Sequence, residues 1–338
     1  MKAYTVDGSG LESLCKVERD APGPPGPDDA LVEVHAVSLN YRDLMVADGR
    51  YGGPQDPAIV PCSDMAGVVV EIGSNIRGLK PGDRVLNAPF RFWPAGVLRS
   101  DWARTFGGGH GLDGVLAERV VYPAVSLVKI PENYSFVEAC TFTVAGLTAW
   151  AAVVTHGHVK AGDWVLLHGT GGVSIFGAQI ARLFGARTIL STSSETKAKL
   201  VQEKIGVEAT VDYRDEKWPD QVQEITGGHG ADVVVEVAGG NSLSRSIKAS
   251  AYSGRVAVIG ILDGIDCPLN VIDLLVHQVS IRGIYMESTE ELHALVRAFD
   301  ASNDHPWIDR EFSFDQAAQA YAHLRAQKHI GKVVISVK

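Results

Sequence analysis

The spacing of apolar positions divides the chain into two regimes. Residues 1–128 read as short strands and turns: Lys2 to Val6, Leu14 to Arg19, Ala30 to Ser38, Gly67 to Ile72 and Arg84 to Asn87 are strand-like runs, and Lys80-Pro81-Gly82-Asp83 is a turn. The run from Ala21 to Pro27 carries four prolines, so it is neither helix nor interior strand. From Ser135 the period changes. Phe136 to Val154 is helical, and strand-like and helix-like segments then alternate: Trp164 to Leu167, Thr188 to Ser191, Glu195 to Lys204, Ala209 to Val211, Asp220 to Thr226, Ala231 to Val237, Ser242 to Ala251 and Arg255 to Ile261. Strands alternating with helices predict a doubly wound parallel sheet. Residues 286–325 read as helix, and Lys332 to Val337 as a closing strand.

Within the second regime, Trp164 to Gly185 carries the clearest signal. A buried apolar strand runs into Gly169-Thr170-Gly171-Gly172, and Val173, Phe176, Ile180, Leu183 and Phe184 then fall on one side of a helix that Gly185 can end. Strand, glycine turn and helix together suit a pyrophosphate: the glycines admit close backbone approach, and the helix start offers unpaired N–H groups. The third glycine of the usual dinucleotide fingerprint falls on Ser174, with Gly172 and Gly177 keeping the neighbourhood slim.

Composition excludes more than it identifies. With 338 residues, 46% of them hydrophobic, there is material for about two domains. A net charge of -9 without a Lys/Arg run argues against nucleic acid, and no apolar run approaches the ~20 residues of a membrane span. Cys15, Cys62, Cys140 and Cys267 lack paired spacing, and the start at Met1 shows no secretory pattern. A cytoplasmic protein with unpaired thiols is expected.

Several further motifs occur in a fixed order: Val37-Ser38-Leu39-Asn40-Tyr41-Arg42-Asp43, Asp64 to Val69, Lys80-Pro81-Gly82-Asp83-Arg84-Val85, Gly114 to Glu118, Ala145 to Trp150, and His329-Ile330-Gly331-Lys332-Val333-Val334. In this order the chain resembles the medium-chain dehydrogenase/reductases, on the zinc-free side with quinone oxidoreductases and enoyl reductases. The resemblance spans nearly the whole length. It implies a GroES-like catalytic domain from residues 1–128 and 286–338, and a Rossmann domain over 129–285. It also implies a homodimer through Rossmann edge strands, here Val279 to Ile284.

Zinc-bearing relatives place Cys, His-Glu and a later Cys or Asp on the catalytic ion. The matching positions here are Asn40, Ser63-Asp64 and Thr141, and residues 87–125 contain no cysteine for a structural site. His156 and His158 have no partners in the sequence, and no metal is expected.

Cofactor choice is read after the second Rossmann strand. The position where an acid would bind a ribose 2′-OH is near Thr192. Ser193, Ser194 and Lys197 offer hydroxyls and a charge suited to a 2′-phosphate, and Glu195 can point away from a helix start. Resembled quinone oxidoreductases use a lysine and a tyrosine at the positions of Lys197 and Tyr213. NADPH is therefore expected, with Gly171, Gly172, Val173 and Ser174 at its pyrophosphate. Gly260, Ile261 and Leu262 are expected on the nicotinamide side, and Lys332 is included among the cofactor contacts.

Without zinc, the chemistry favours hydride addition to a conjugated C=C or quinone, where a hydrogen bond or proton donor suffices. Tyr51 matches a proton-donor candidate of enoyl-reductase relatives, Asn40 can donate to a substrate oxygen, and Asp43 can orient neighbours. Arg42 reads as a surface or domain-interface residue. The Phe90 to His110 insert, with Phe92 and Trp93, suits a wall for a small apolar or conjugated carbonyl substrate. A metal-free alcohol dehydrogenase or carbonyl reductase is the alternative within the class. A non-catalytic NADPH-binding protein is the alternative outside it.

Overall fold

The computed structural model describes all 338 residues, which form two compact units: Met1–Leu147 with Glu287–Lys338, and Thr148–Met286.

The first unit is organised by the strand Asp29–Leu39, whose side chains are buried along most of its length. Its sheet runs in the order Ile308–Ser313, Lys332–Ser336, Asp29–Leu39, Asp64–Ile72, Arg84–Asn87, Leu127–Lys129, with Arg119–Pro123 also pairing to Asp29–Leu39. All pairings are antiparallel except that of Ile308–Ser313 with Lys332–Ser336. The first of these two strands corrects the helical reading of 286–325. Helices Thr289–Ser302 and Ala317–Arg325 flank a real strand whose sequence, Ile-Asp-Arg-Glu-Phe-Ser, is charged because it lies exposed at the sheet edge.

The division between the units falls after Leu147, whereas the sequence places it at 128. Residues 129–147 belong to the β-rich unit through specific contacts. Phe136 packs on His35 with ring centroids 4.3 Å apart, and the Arg84 guanidinium lies 4.7 Å from the Phe136 ring. The Thr143 hydroxyl donates to the Asn87 carbonyl at 2.8 Å. The predicted single helix over 136–154 is also interrupted, tightening to a 3₁₀ turn at Cys140–Phe142 and widening to a π turn at Ala151–Thr155.

The second unit holds a six-stranded parallel sheet in the order Ala209–Val211, Arg187–Ser191, Trp164–His168, Ala231–Glu236, Ser250–Val258, Ser280–Gly283. Every residue of Trp164–His168 is buried, as a central parallel strand covered on both faces requires. The helix Gly172–Leu183 follows it directly. A side chain at Gly177 would meet Leu167 Cδ2 at 2.6 Å, so it is Gly177 that allows helix and strand to pack closely. Across the whole chain no single helix is long and apolar enough to cross a membrane.

Candidate cofactor and catalytic sites

The glycine turn of the second unit is open on its outer side. Gly169 adopts φ +72°, which favours glycine, and a Cβ on Gly169 or Gly171 would meet nothing within 4 Å. Gly171 caps the helix without a side-chain bond, which leaves the first helical N–H groups available to an anion. Ser174, the departure from the fingerprint, is buried and donates to the His168 carbonyl at 2.5 Å. Its hydroxyl thus satisfies the end of the preceding strand, while Gly177 performs the close packing.

At the end of Arg187–Ser191 stands Thr192, with no carboxylate in place of an acid. Lys197 reaches back from the helix Glu195–Leu200, and its ammonium donates to Thr170 Oγ1 of the glycine turn at 3.2 Å. Ser193 and Tyr213 share a hydrogen bond of 2.8 Å between their hydroxyls. Ser194 caps the helix by accepting from the Lys197 N–H, and Glu195 lies exposed in its first turn. The Lys197 ammonium and the hydroxyls of Ser193, Ser194 and Tyr213 stand around this strand end, with Glu195 the one acid in the helix start.

Beneath the turn lies a polar network that the sequence reading misses. The His168 ring bonds Ser191 Oγ through Nδ1 and Ser246 Oγ through Nε2, each at 2.9 Å. Ser246 and Ser242 in turn donate to Glu236 Oε2, and Glu236 Oε1 accepts the N–H groups of Ala238 and Gly239. Burial pushes the His168 pKa down, against the pull of Glu236. The network joins the ends of three central strands and shapes the loop after Ala231–Glu236. The signal available for it is the polar residues that end otherwise apolar strands. Gly260 follows Ser250–Val258; its Cβ would meet the Val237 carbonyl oxygen at 2.1 Å, so the chain here needs glycine, and Ile261 and Leu262 beyond it are exposed.

In the first unit, Asn40 precedes the helix Tyr41–Ala47, and its backbone N–H donates to Asp43 Oδ2 at 2.8 Å. Asp43 is fully buried, and burial raises its pKa to about 6. Arg42 corrects the surface reading. Its side chain is only 10% exposed; Nη1 bonds Asp43 Oδ1 and the Gly107 carbonyl, each at 3.2 Å. The guanidinium lies 4.9 Å from the Tyr51 ring centroid and 4.5 Å from that of Phe106, clamping the half-buried Tyr51 against the glycine-rich insert. His110 covers Tyr51 from another side, at 4.9 Å.

Two expected contacts are misplaced. Trp93 is a core residue of the insert: it is buried, packs on Phe90 at 5.5 Å and donates its indole N–H to the Gly96 carbonyl at 2.8 Å, so it is not free to line a substrate pocket. Phe92 beside it is exposed. Lys332 is not free to hold a phosphate, because its ammonium is buried inside the first unit, donating to the Leu39 carbonyl at 2.5 Å and Asn40 Oδ1 at 2.7 Å.

The residues at the zinc-ligand positions do not fit zinc. Asn40 offers a neutral amide, Ser63 and Thr141 offer hydroxyls, and Asp64 is the lone carboxylate. Its oxygens already accept from Ser38, Asn40, Ser63 and the Val144 N–H, with the Lys332 ammonium 4.0 Å away. No group of three His, Cys, Asp or Glu residues stands ready for a metal.

Comparison with known proteins places these two units in a family. Residues 26–132 match the alcohol dehydrogenase GroES-like domain, and residues 172–301 match the zinc-binding dehydrogenase model. A zinc-type alcohol dehydrogenase-like protein of Schizosaccharomyces pombe is 35% identical over 97% of this chain and 96% of its own. The chain belongs to the medium-chain dehydrogenase/reductases, in their quinone oxidoreductase-like branch. A quinone oxidoreductase-like protein 2 homolog of Nematostella vectensis is 30% identical over 93% of this chain and 83% of its own. The crystal structure of an NAD-dependent alcohol dehydrogenase superposes with a TM-score of 0.91, at 32% identity over the full length of both chains. The family comprises oxidoreductases that bind a nicotinamide cofactor, and the open glycine turn fits that group.

Proposed function

We propose that this protein is a zinc-independent reductase that uses NADPH to reduce an activated C=C bond or a quinone in a small apolar or conjugated carbonyl substrate. The observation that carries the cofactor choice is the strand end at Thr192. Lys197 is tethered to Thr170, Ser193 and Tyr213 pair nearby, and Thr192 stands where an acid would bind a ribose 2′-OH. Bound there, the cofactor would supply hydride.

The protein's own contribution to substrate activation then comes from hydrogen bonds. A conjugated acceptor spreads the incoming negative charge onto its carbonyl oxygen, which one well-placed donor can stabilise. Asn40 retains an amide N–H for this purpose, since Asp64 takes only one. Tyr51, held by Arg42, is the candidate proton donor. The proposed homodimer uses the edge strand Ser280–Gly283. Val271, Ile272 and Leu275 on the preceding helix are largely exposed, an apolar surface that favours a protein partner.

The likeness to an NAD-dependent alcohol dehydrogenase favours a second reading, NADH-linked chemistry at a C=O group. A cofactor-oxidation panel separates the two, pairing NADPH and NADH with enones, quinones, enoyl thioesters and aldehydes. The expected result is turnover of enones or quinones with NADPH. Faster turnover of simple aldehydes, or preference for NADH, overturns the proposal.

A further inference from the structure

Lys332 is the first residue of Lys332–Ser336, and the pairing of Val333 with Leu39 brings it opposite Asn40. Its side chain is 3% exposed. A buried ammonium is costly unless its hydrogens find partners, and here they find the Leu39 carbonyl and Asn40 Oδ1. Asp64, at 4.0 Å, balances the charge without a direct hydrogen bond.

The consequence falls on Asn40. Its amide oxygen faces the ammonium at 2.7 Å, and one of its N–H groups faces Asp64 Oδ2 at 2.8 Å. A flipped amide would place NH₂ against the ammonium and oxygen against the carboxylate, so one orientation is enforced from both ends. That orientation leaves the second N–H without a protein partner, on a residue that retains 9% exposure. The cation at the oxygen end also withdraws electron density from the nitrogen, which makes the remaining N–H a stronger donor. Asp64 acts in the opposite sense. However, its charge is shared with Ser38, Ser63 and the Val144 N–H as well as with Asn40, which weakens that opposition.

We infer that Lys332 is a positioning residue that orients and polarises the Asn40 amide so that its free N–H serves the substrate's carbonyl oxygen. This rests on the reading of Asn40 as the substrate-oxygen donor. Lys332 itself touches neither substrate nor cofactor.

The test compares the holoenzyme with Lys332→Met, Asn40→Ala and the double variant, measuring kcat, KM and NADPH affinity. Removing a donor to a developing oxyanion costs on the order of a hundredfold in kcat, the loss expected for Asn40→Ala. Loss of the charge assistance alone is expected to cost about tenfold, the loss expected for Lys332→Met. NADPH affinity should hold in both, and the double variant should be no slower than Asn40→Ala. Weakened NADPH binding with kcat unchanged overturns the inference, as does the same fold loss from Lys332→Met in the Asn40→Ala background. If Lys332→Met fails to fold with Asp64 uncompensated, Lys332→Met is made in the Asp64→Asn background and compared with Asp64→Asn alone, where about the same tenfold loss in kcat is expected and an unchanged kcat overturns the inference.

Should the wild-type enzyme turn over no enone or quinone, the proposed function falls, but this inference can still be tested. In protein labelled with ¹⁵N-asparagine, the Asn40 side-chain amide protons should move upfield on Lys332→Met. An unmoved resonance overturns the inference.

Discussion

Asp43 provides a quantitative test of how the β-rich unit is assembled. Its carboxylate is fully buried, and its pKa rises from 3.8 to about 6, chiefly through burial. Arg42, the Asn40 N–H and Lys332 oppose that rise, and Asp64 adds to it. Below pH 3.8 the group is protonated in both folded and unfolded chains, and above about 6 it is ionised in both. Between these limits the folded protein holds a proton that the unfolded chain has lost, so this group's contribution to stability falls as pH rises through the window. At about 1.4 kcal/mol per pH unit, the rise is worth about 3 kcal/mol.

Other carboxylates work in the opposite direction. Glu138, for example, has a lowered pKa despite its burial, through Ser135 and His305. The pH dependence of the wild-type protein alone therefore cannot isolate Asp43. The difference between wild type and Asp43→Asn can, because the other groups are common to both. The amide that this substitution introduces can still accept the Asn40 N–H through its oxygen, and it does not titrate. Urea unfolding followed by circular dichroism from about pH 4 to about pH 7.5 should show the variant gaining on the wild type by about 2.5 kcal/mol, the part of the rise that falls inside this interval. A stability difference constant to within about 0.5 kcal/mol, the usual additivity error, would refute the assignment of a raised pKa to this buried carboxylate.

Further tests address the cofactor half. Lys197→Ala removes the ammonium proposed to meet a 2′-phosphate; with charge-assisted bonds worth about 1.5–3 kcal/mol, NADPH affinity should fall roughly ten- to hundredfold. NADH affinity should stay unchanged in the same fluorescence titration, and equal weakening of both cofactors would count against the site. Gly177→Val puts a branched side chain where a Cβ alone would already stand 2.6 Å from Leu167 Cδ2, and thermal unfolding should register a loss of about 1–3 kcal/mol. Ser174→Ala leaves the buried His168 carbonyl without its hydroxyl donor and should cost about 1–3 kcal/mol in the same assay.

The parallel sheet is legible because its inner strands carry short apolar runs bounded by polar residues or glycine, a local pattern that survives without tertiary knowledge. The family motifs mark the β-rich unit equally well. What escapes is structure decided at long range. Ile308–Ser313 is a strand because Lys332–Ser336 lies beside it, and nothing within six mostly polar residues announces that partner. Residues 129–147 follow the β-rich unit because Phe136 finds His35 and Thr143 finds Asn87, contacts a helical period cannot foresee.

The same limit explains the site. Lys197 can be found from its spacing after the second Rossmann strand, because the short helix it stands on brings it back to Thr170. Lys332 shares the chemical type but not the role. Its 292-residue separation from Asn40 is closed only by sheet register, and the local sequence around this lysine gives no hint that it will be sealed inside the β-rich unit. Arg42 illustrates the converse. It directly precedes Asp43 in the motif Val37 to Asp43, yet its place between Tyr51 and Phe106 depends on the insert folding back over the helix Tyr41–Ala47. The residue types at this site can be read from the sequence; which of them face a ligand, and which only hold those that do, is set by the long-range pairing of the sheet.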